Sequence, residues 1–121
     1  MPKATAEKLL VKPGTAVLLP TDPARAALLG PLPEGASLTD ASGTAEVAVL
    51  DAPDMAALEA LVPRLSGLAG ARAVWILYPT GRTSDITRDT IRERIEREPW
   101  TTVAIIAVDD AHSALRIKPV G

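Results

Sequence analysis

The sequence has one apolar run that decides its fold class, Ala73-Val74-Trp75-Ile76-Leu77-Tyr78. β-Branched and aromatic side chains are enriched in strands, and an apolar run without polar alternation is typical of a strand covered on both faces. Gly70 precedes the run and Pro79 follows it, so residues that interrupt regular structure mark both ends. We therefore expect a strand in the middle of a sheet.

A polar, turn-forming stretch from Tyr78 to Asp89 follows this strand. Gly81 allows a tight turn. Isoleucines then recur at helical spacing among charged residues, which predicts an exposed amphipathic helix over 85–98. The N-cap of that helix could be any of three residues, Thr83, Ser84 or Asp85.

The beginning of this helix is a candidate anion-binding site. The first N–H groups of a helix have no partner within it, and the helix dipole adds partial positive charge. Arg82 and Arg88 could converge there on a phosphate or carboxylate through their planar guanidinium groups. The full candidate site is Tyr78, Gly81, Arg82, Thr83, Ser84, Asp85 and Arg88. The alternative is a well-capped connection, in which Arg82 is solvated and Arg88 pairs with Asp85 or Asp89.

The rest of the chain alternates strands and helices. The predicted strands are 15–19, 36–39, 45–50, 73–78, 101–108 and 113–118, and the predicted helices are 24–29, 55–68 and 85–98. Asp51 and Asp54 have the spacing of a capping pair, and Pro63 should kink or divide the second helix because it cannot donate to Glu59. The last two strands are close enough in sequence that only an antiparallel hairpin can join them.

This order predicts an α/β fold, a three-layer Rossmann-like sandwich with a mostly parallel sheet and a C-terminal antiparallel hairpin. We expect one domain over residues 1–121, with 1–12 as a loose N-terminal arm or short helix. At the level of fold it resembles a shortened class I methyltransferase. The turn after the first strand, 20–23, lacks the glycines that cradle phosphate in nucleotide-binding folds.

Composition excludes several classes of function. Thirteen basic and fifteen acidic residues give a net charge of −2, so no overall field favours nucleic acid or an anionic membrane. The chain has no cysteine, which excludes disulfides and thiolate ligands. No apolar stretch reaches the roughly 18 residues of a membrane span. We expect a soluble cytoplasmic protein that binds neither nucleic acid nor membrane.

A second group of candidate residues is Asp109, Asp110 and His112, in the predicted hairpin turn. One carboxylate could orient the histidine as a general base, but these residue types are also ordinary in turns. Asp51, after a strand, could bind a ribose, although helix capping explains it more simply. The pattern indicates no catalytic set, no metal site and no cofactor.

Nearly the whole chain, from Ala6 to Pro119, resembles a family of short bacterial proteins called domain of unknown function 3052. The residues that carry the resemblance are 6–14, 29–35, 78–81, 84–90, 108–110 and 113–116. Members of that family typically have Lys at the position of Thr80 and Trp at that of His112. The resemblance therefore implies that His112 is not essential, and it implies no activity.

Two functions follow from these patterns. The first is a non-catalytic binding or protein-interaction domain that uses the 78–89 loop. It is favoured because the sequence contains few residues arranged for catalysis. The second is an enzyme acting on a small anionic substrate, of which a methyltransferase-like enzyme is one kind, with Arg82 and Arg88 as the anion clamp and Asp109 as acid or base. Partners would be a small anion or a protein. An edge strand or the Arg/Glu helix could also pair two copies into a homodimer.

Overall fold

The computed structural model describes residues 14, 16–18, 34–38, 45–80, 85–98, 100–108 and 111–120. Its strands are β1 (Ala16–Leu18), β2 (Ser37–Leu38), β3 (Val47–Asp51), β4 (Ala73–Pro79), β5 (Trp100–Ala107) and β6 (His112–Pro119). Its helices are α1 (Met55–Leu61), a 3₁₀ helix (Val62–Leu68) and α2 (Arg88–Ile95). The predicted arm at 1–12 and helix at 24–29 lie outside these residues.

The strands form one six-stranded sheet in the order β2-β1-β3-β4-β6-β5. β1 pairs in parallel with β2 and β3, and β3 pairs in parallel with β4. β6 is antiparallel to both β4 and β5, as the short connection required. The α/β prediction, with a mostly parallel sheet and a C-terminal hairpin, is confirmed, and β4 lies inside the sheet as expected.

The sheet is covered on both faces at β3 and β4, where successive side chains point to opposite faces and nearly all are buried. Val74, Ile76 and Tyr78 join a core with the described helices on one face. Ala73, Trp75 and Leu77 join a second core on the other face. Trp75 is only 1% exposed, so the run that predicted a strand covered on both sides is such a strand.

Pro63 divides the predicted helix 55–68 into two kinds of helix. α1 ends at Leu61, and the next turns tighten into the 3₁₀ helix, whose first residues include the proline. A 3₁₀ helix has about three residues per turn, so side chains three apart lie on one line. Val62, Leu65 and Leu68 are spaced in this way, and all three are buried.

The N-terminus of α2 corrects the predicted helix over 85–98. The helix begins at Arg88, and Thr87 is its N-cap: the Thr90 N–H donates to Oγ1 of Thr87, and the Thr87 N–H donates to Oγ1 of Thr90. Asp85 is therefore not the cap of this helix. The pair of Thr87 and Thr90 satisfies two backbone N–H donors at the start of the helix. Asp85, two residues before Thr87, could not satisfy both.

The charged face of α2 also differs from a simple solvated surface. The side chain of Arg94 is only 18% exposed and pairs with Glu59 of α1 and with Glu98. The hydrogen bond to Glu59, followed by that to Glu98, raises the pKa of Arg94. Arg94 thus ties α2 to α1. None of the helices within the described ranges has the length and apolarity needed to cross a membrane.

Candidate functional site

The sheet reverses its strand order between β1 and β3. From β1 the chain next adds β2 on one side, and then β3 on the other. In open α/β sheets ligands bind outside the carboxyl ends of the strands at such a reversal. On the β3 side of this crevice lie Asp51, which ends the strand, and Asp54, which caps α1.

Two carboxylates occupy the N-terminus of α1. The side chain of Asp54 accepts from the Ala57 N–H at 2.8 Å, and Oδ1 of Asp85 accepts from the Met55 N–H at 2.9 Å. These protein groups therefore take up N–H donors that a ligand anion would otherwise use. Of the predicted capping pair, Asp54 is the cap, whereas Asp51 remains in β3.

The loops at this edge are tied to one another. The contact of Asp85 with Met55 joins the loop after β4 to the helix after β3. The Thr80 N–H donates to the carbonyl of Ala111 at 2.8 Å, which joins the same loop to the β5–β6 turn. We call this surface the rim, and define it by the described residues 51–54, 79–80, 85, 108 and 111–112.

His112 lies on the rim, but in a strand instead of a turn. It begins β6 and stands opposite Pro79 of β4, and its side chain is half-buried. The connection between β5 and β6 therefore runs over 108–111, one residue earlier than predicted, and the Val108 N–H donates to the His112 carbonyl across it. Of the candidate residues, Asp85 from the first group and His112 from the second therefore both lie on the rim. Gly81, Arg82, Thr83, Ser84, Asp109 and Asp110 lie outside the described residues.

Tyr78 is a core residue with a polar tip. Its side chain is 4% exposed and belongs to the helix-covered core. Its hydroxyl forms a hydrogen bond with the side chain of Ser113, its cross-strand neighbour. Burial raises the pKa of Tyr78, against the smaller opposing effects of the Arg88 charge and of the Ser113 hydrogen bond. The phenol therefore stays protonated at neutral pH, and Arg88 lies near enough to influence it.

Arg88, at the start of α2, is exposed. Its Nε is 3.8 Å from Oδ1 of Asp89, and Arg92 reaches the same oxygen at 3.7 Å. Ion pairs of this length between exposed side chains contribute little. Breaking the contact between Arg88 and Asp89 to bind an anionic ligand would therefore cost little free energy. Among the described residues, no three His, Asp or Glu side chains cluster as a metal site would require.

The position of β2 points to one acid that sequence reasoning missed. In dinucleotide folds a ribose-binding acid lies about 20 residues beyond the first turn. In this chain that spacing leads to Asp40, which follows β2 in the sequence, and not to Asp51 at the end of β3. The side chain of Asp40 lies outside the described residues. The observation that draws attention to Asp40 is the order of the strands in the sheet, which the pattern of the amino-acid sequence alone does not give.

Solved structures from several bacteria are similar to nearly the whole chain. A protein in the NADB-Rossmann superfamily from Streptococcus agalactiae has a TM-score of 0.60 at 10% identity, over 99% of this chain and 69% of that one. A Streptococcus pneumoniae protein assigned as a tRNA (m1A22) methyltransferase has a TM-score of 0.58 at 12% identity, over 99% and 71%. The ribosomal protein L11 methylase of Lactobacillus delbrueckii subsp. bulgaricus has a TM-score of 0.55 at 12% identity, over 97% and 76%.

These matches confirm the Rossmann-like, methyltransferase-type fold. They also correct the sequence-based preference for a non-catalytic domain: solved proteins of this fold include methyltransferases, so the fold does not favour a non-catalytic role. At such low identity the likeness establishes the fold alone. No protein-family model and no curated protein matches the sequence, so the resemblance to domain of unknown function 3052 stays a prediction.

Proposed function

We propose that the chain is a small enzyme of the methyltransferase type that acts on a small anionic substrate at the rim. One observation carries the proposal. Hydrogen bonds join the segments that follow β3, β4 and β5, at the edge of the sheet where the strand order reverses between β1 and β3. That reversal is the place where α/β sheets bind ligands. The methyltransferases among the similar structures support the reaction type.

An S-adenosyl compound fits this edge better than a dinucleotide. A dinucleotide needs a glycine-rich turn after β1, so that backbone N–H groups approach its pyrophosphate. The residues that follow β1 here are Leu19-Pro20-Thr21-Asp22-Pro23, with no glycine and with two prolines that lack an N–H. S-adenosylmethionine has no phosphate, so the missing glycines weigh less against it than against a dinucleotide. When bound, it supplies a methyl group carried on a sulfonium.

We assign the ribose hydroxyls of the cofactor to Asp40, on the strength of its sequence position after β2. Asp51, half-buried at the end of β3, faces the same crevice from the other side of β1. Carboxylates suit both positions, because adenosine presents hydroxyl and amino donors that carboxylate oxygens accept.

An anionic acceptor suits the described side chains. A carboxylate or phenolate oxygen accepts a methyl group without first losing a proton, so the enzyme has to position its substrate and needs no general base. Arg88 would hold the anion through its guanidinium fork, since its contact with Asp89 is weak. The charge of Arg88 acts on the Tyr78 hydroxyl, which would offer the anion a further hydrogen bond.

The first experiment is calorimetric titration with S-adenosylhomocysteine and, separately, with NAD. We expect the first to bind and the second not to bind. Asp40→Asn should weaken the binding of S-adenosylhomocysteine about tenfold, the cost of roughly one hydrogen bond to a charged group. If S-adenosylhomocysteine fails to bind at millimolar concentration, the methyltransferase assignment is wrong.

The second experiment measures transfer of a labelled methyl group to a panel of small carboxylic acids and phenols. Arg88→Gln should raise KM for the anionic substrate about tenfold or more and leave the affinity for S-adenosylhomocysteine unchanged. Arg92→Gln is the matched control, because Arg92 is also exposed on α2 and contacts the same Asp89 oxygen. Equal effects of the two variants would contradict a specific role for Arg88.

A further inference from the structure

β5 is an edge strand with an unusually unprotected outer side. It pairs with β6 on one side, and no strand among the described residues pairs with it on the other. Val103 and Ile105 are 43% and 45% exposed, although both are apolar. Edge strands are normally guarded by charges or prolines, and β5 has neither between Trp100 and Ala107.

The backbone of β5 offers hydrogen-bonding groups on this outer side. The Val108 N–H donates to the His112 carbonyl, which marks this pair as hydrogen-bonded. In an antiparallel ladder such pairs alternate, so the next one is Ile106 with Ala114. The two residues that flank Ile106, which are Ile105 and Ala107, therefore direct N–H and C=O away from β6.

A bulge limits the part of β5 that can accept another strand. The register with β6 shifts between Thr102 and Ala104, so the ladder is irregular around Val103. Ile105 and Ala107 lie beyond this irregularity, in the regular part of the strand. They are the two residues best placed to pair outward.

We propose that β5 binds β5 of a second copy of this chain, antiparallel and across a two-fold axis at Ile106. Ile105 of each copy then pairs with Ala107 of the other, and each pair exchanges both N–H···O bonds. The two six-stranded sheets become one continuous sheet. A second copy suits the edge because an uncharged strand meets itself without like-charge contacts, and a two-fold interface brings the same patch together twice.

Sedimentation equilibrium over a micromolar to high-micromolar concentration range tests the proposal. We expect the wild-type chain to dimerise and Ala107→Pro to weaken the dimer at least about tenfold. Proline removes the outward N–H of Ala107 and leaves the β5–β6 ladder intact, because that N–H does not bond to β6. Ala107→Ser is the matched control, since it keeps the N–H and should dimerise like the wild type.

A second variant keeps the test decisive if Ala107→Pro does not fold. Ile105→Lys places like charges close to the two-fold axis and should also give a monomer. Val120→Lys serves as its control, because Val120 is 59% exposed but lies outside β5. A wild-type chain that stays monomeric throughout the range overturns the proposal and leaves the edge to a strand of another protein. Dimerisation of Ala107→Pro or Ile105→Lys at wild-type affinity overturns it equally.

Discussion

The link between Asp85 and Met55 is the contact whose removal tests the described rim most directly. Asp85→Ala deletes the carboxylate that accepts the Met55 N–H at 2.9 Å, at the first residue of α1. Loss of a capping acceptor costs about 1 kcal/mol, and loss of a negative charge at a helix N-terminus costs a further ~0.5 kcal/mol. Because Asp85 is exposed, water can replace part of the lost bond, so we expect a total near the lower value.

The assay is urea unfolding followed by circular dichroism, with the free energy of unfolding extrapolated to water. Asp85→Ala should lower that free energy by about 1 kcal/mol, and Asp85→Asn by less, because an amide oxygen still accepts a hydrogen bond. Asp54→Ala should cost a similar amount, since Asp54 caps the same helix through Ala57.

Asp89→Ala is the matched control for Asp85→Ala. Asp89 is 66% exposed in the first turn of α2, and among the described residues it caps no N–H group and makes only long ion pairs, so its removal should cost only the ~0.5 kcal/mol of a negative charge at a helix N-terminus. If Asp85→Ala is as stable as Asp89→Ala while Asp54→Ala is destabilised, then Asp85 does not cap α1 and the rim is not joined there.

Three further predictions concern α2, the phenol and the core. Thr87→Ala should destabilise the chain by about 1 kcal/mol and Thr87→Ser by much less, as urea unfolding would show, because Thr87 caps α2. Tyr78 is the only tyrosine, so the change in near-ultraviolet absorbance on phenolate formation reports it alone, because the two tryptophans do not titrate, and the midpoint of that change should lie above pH 10. Since folding raises this pKa, the contribution of Tyr78 to stability is present below pH 10 and is lost as the pH rises further; Tyr78→Phe should resist alkaline unfolding better than the wild type. Leu58→Ala should cost about 2–5 kcal/mol in the same urea assay, because Leu58 is fully buried in α1.

The sheet was predictable because its signals are local. The apolar run at 73–78, the division at Pro63 and the short connection of the final hairpin each depend on neighbouring residues only. Hydrophobic periodicity and backbone chemistry determine such features, and the structure confirms all three.

The candidate site was harder to predict because its contacts join distant residues. Asp85 and Met55 are 30 positions apart, and no local pattern indicates that one caps the helix of the other. Several residues near the start of α2 are of types that cap helices. Thr87 is the N-cap because of its reciprocal hydrogen bonds with Thr90. The preference for a non-catalytic domain rested on a count of catalytic side chains, and such a count says little about a reaction that relies chiefly on positioning, as the proposed methyl transfer would.

The 3₁₀ helix has a consequence for how this sequence can vary in length. Val62, Leu65 and Leu68 reach the core only because they recur once per turn of about three residues. Removing or inserting one residue between them would rotate the following side chains by about 120° and carry a leucine from the core into water. Homologous chains should therefore gain or lose residues here only in whole turns, while single-residue length changes should accumulate in the loops on either side.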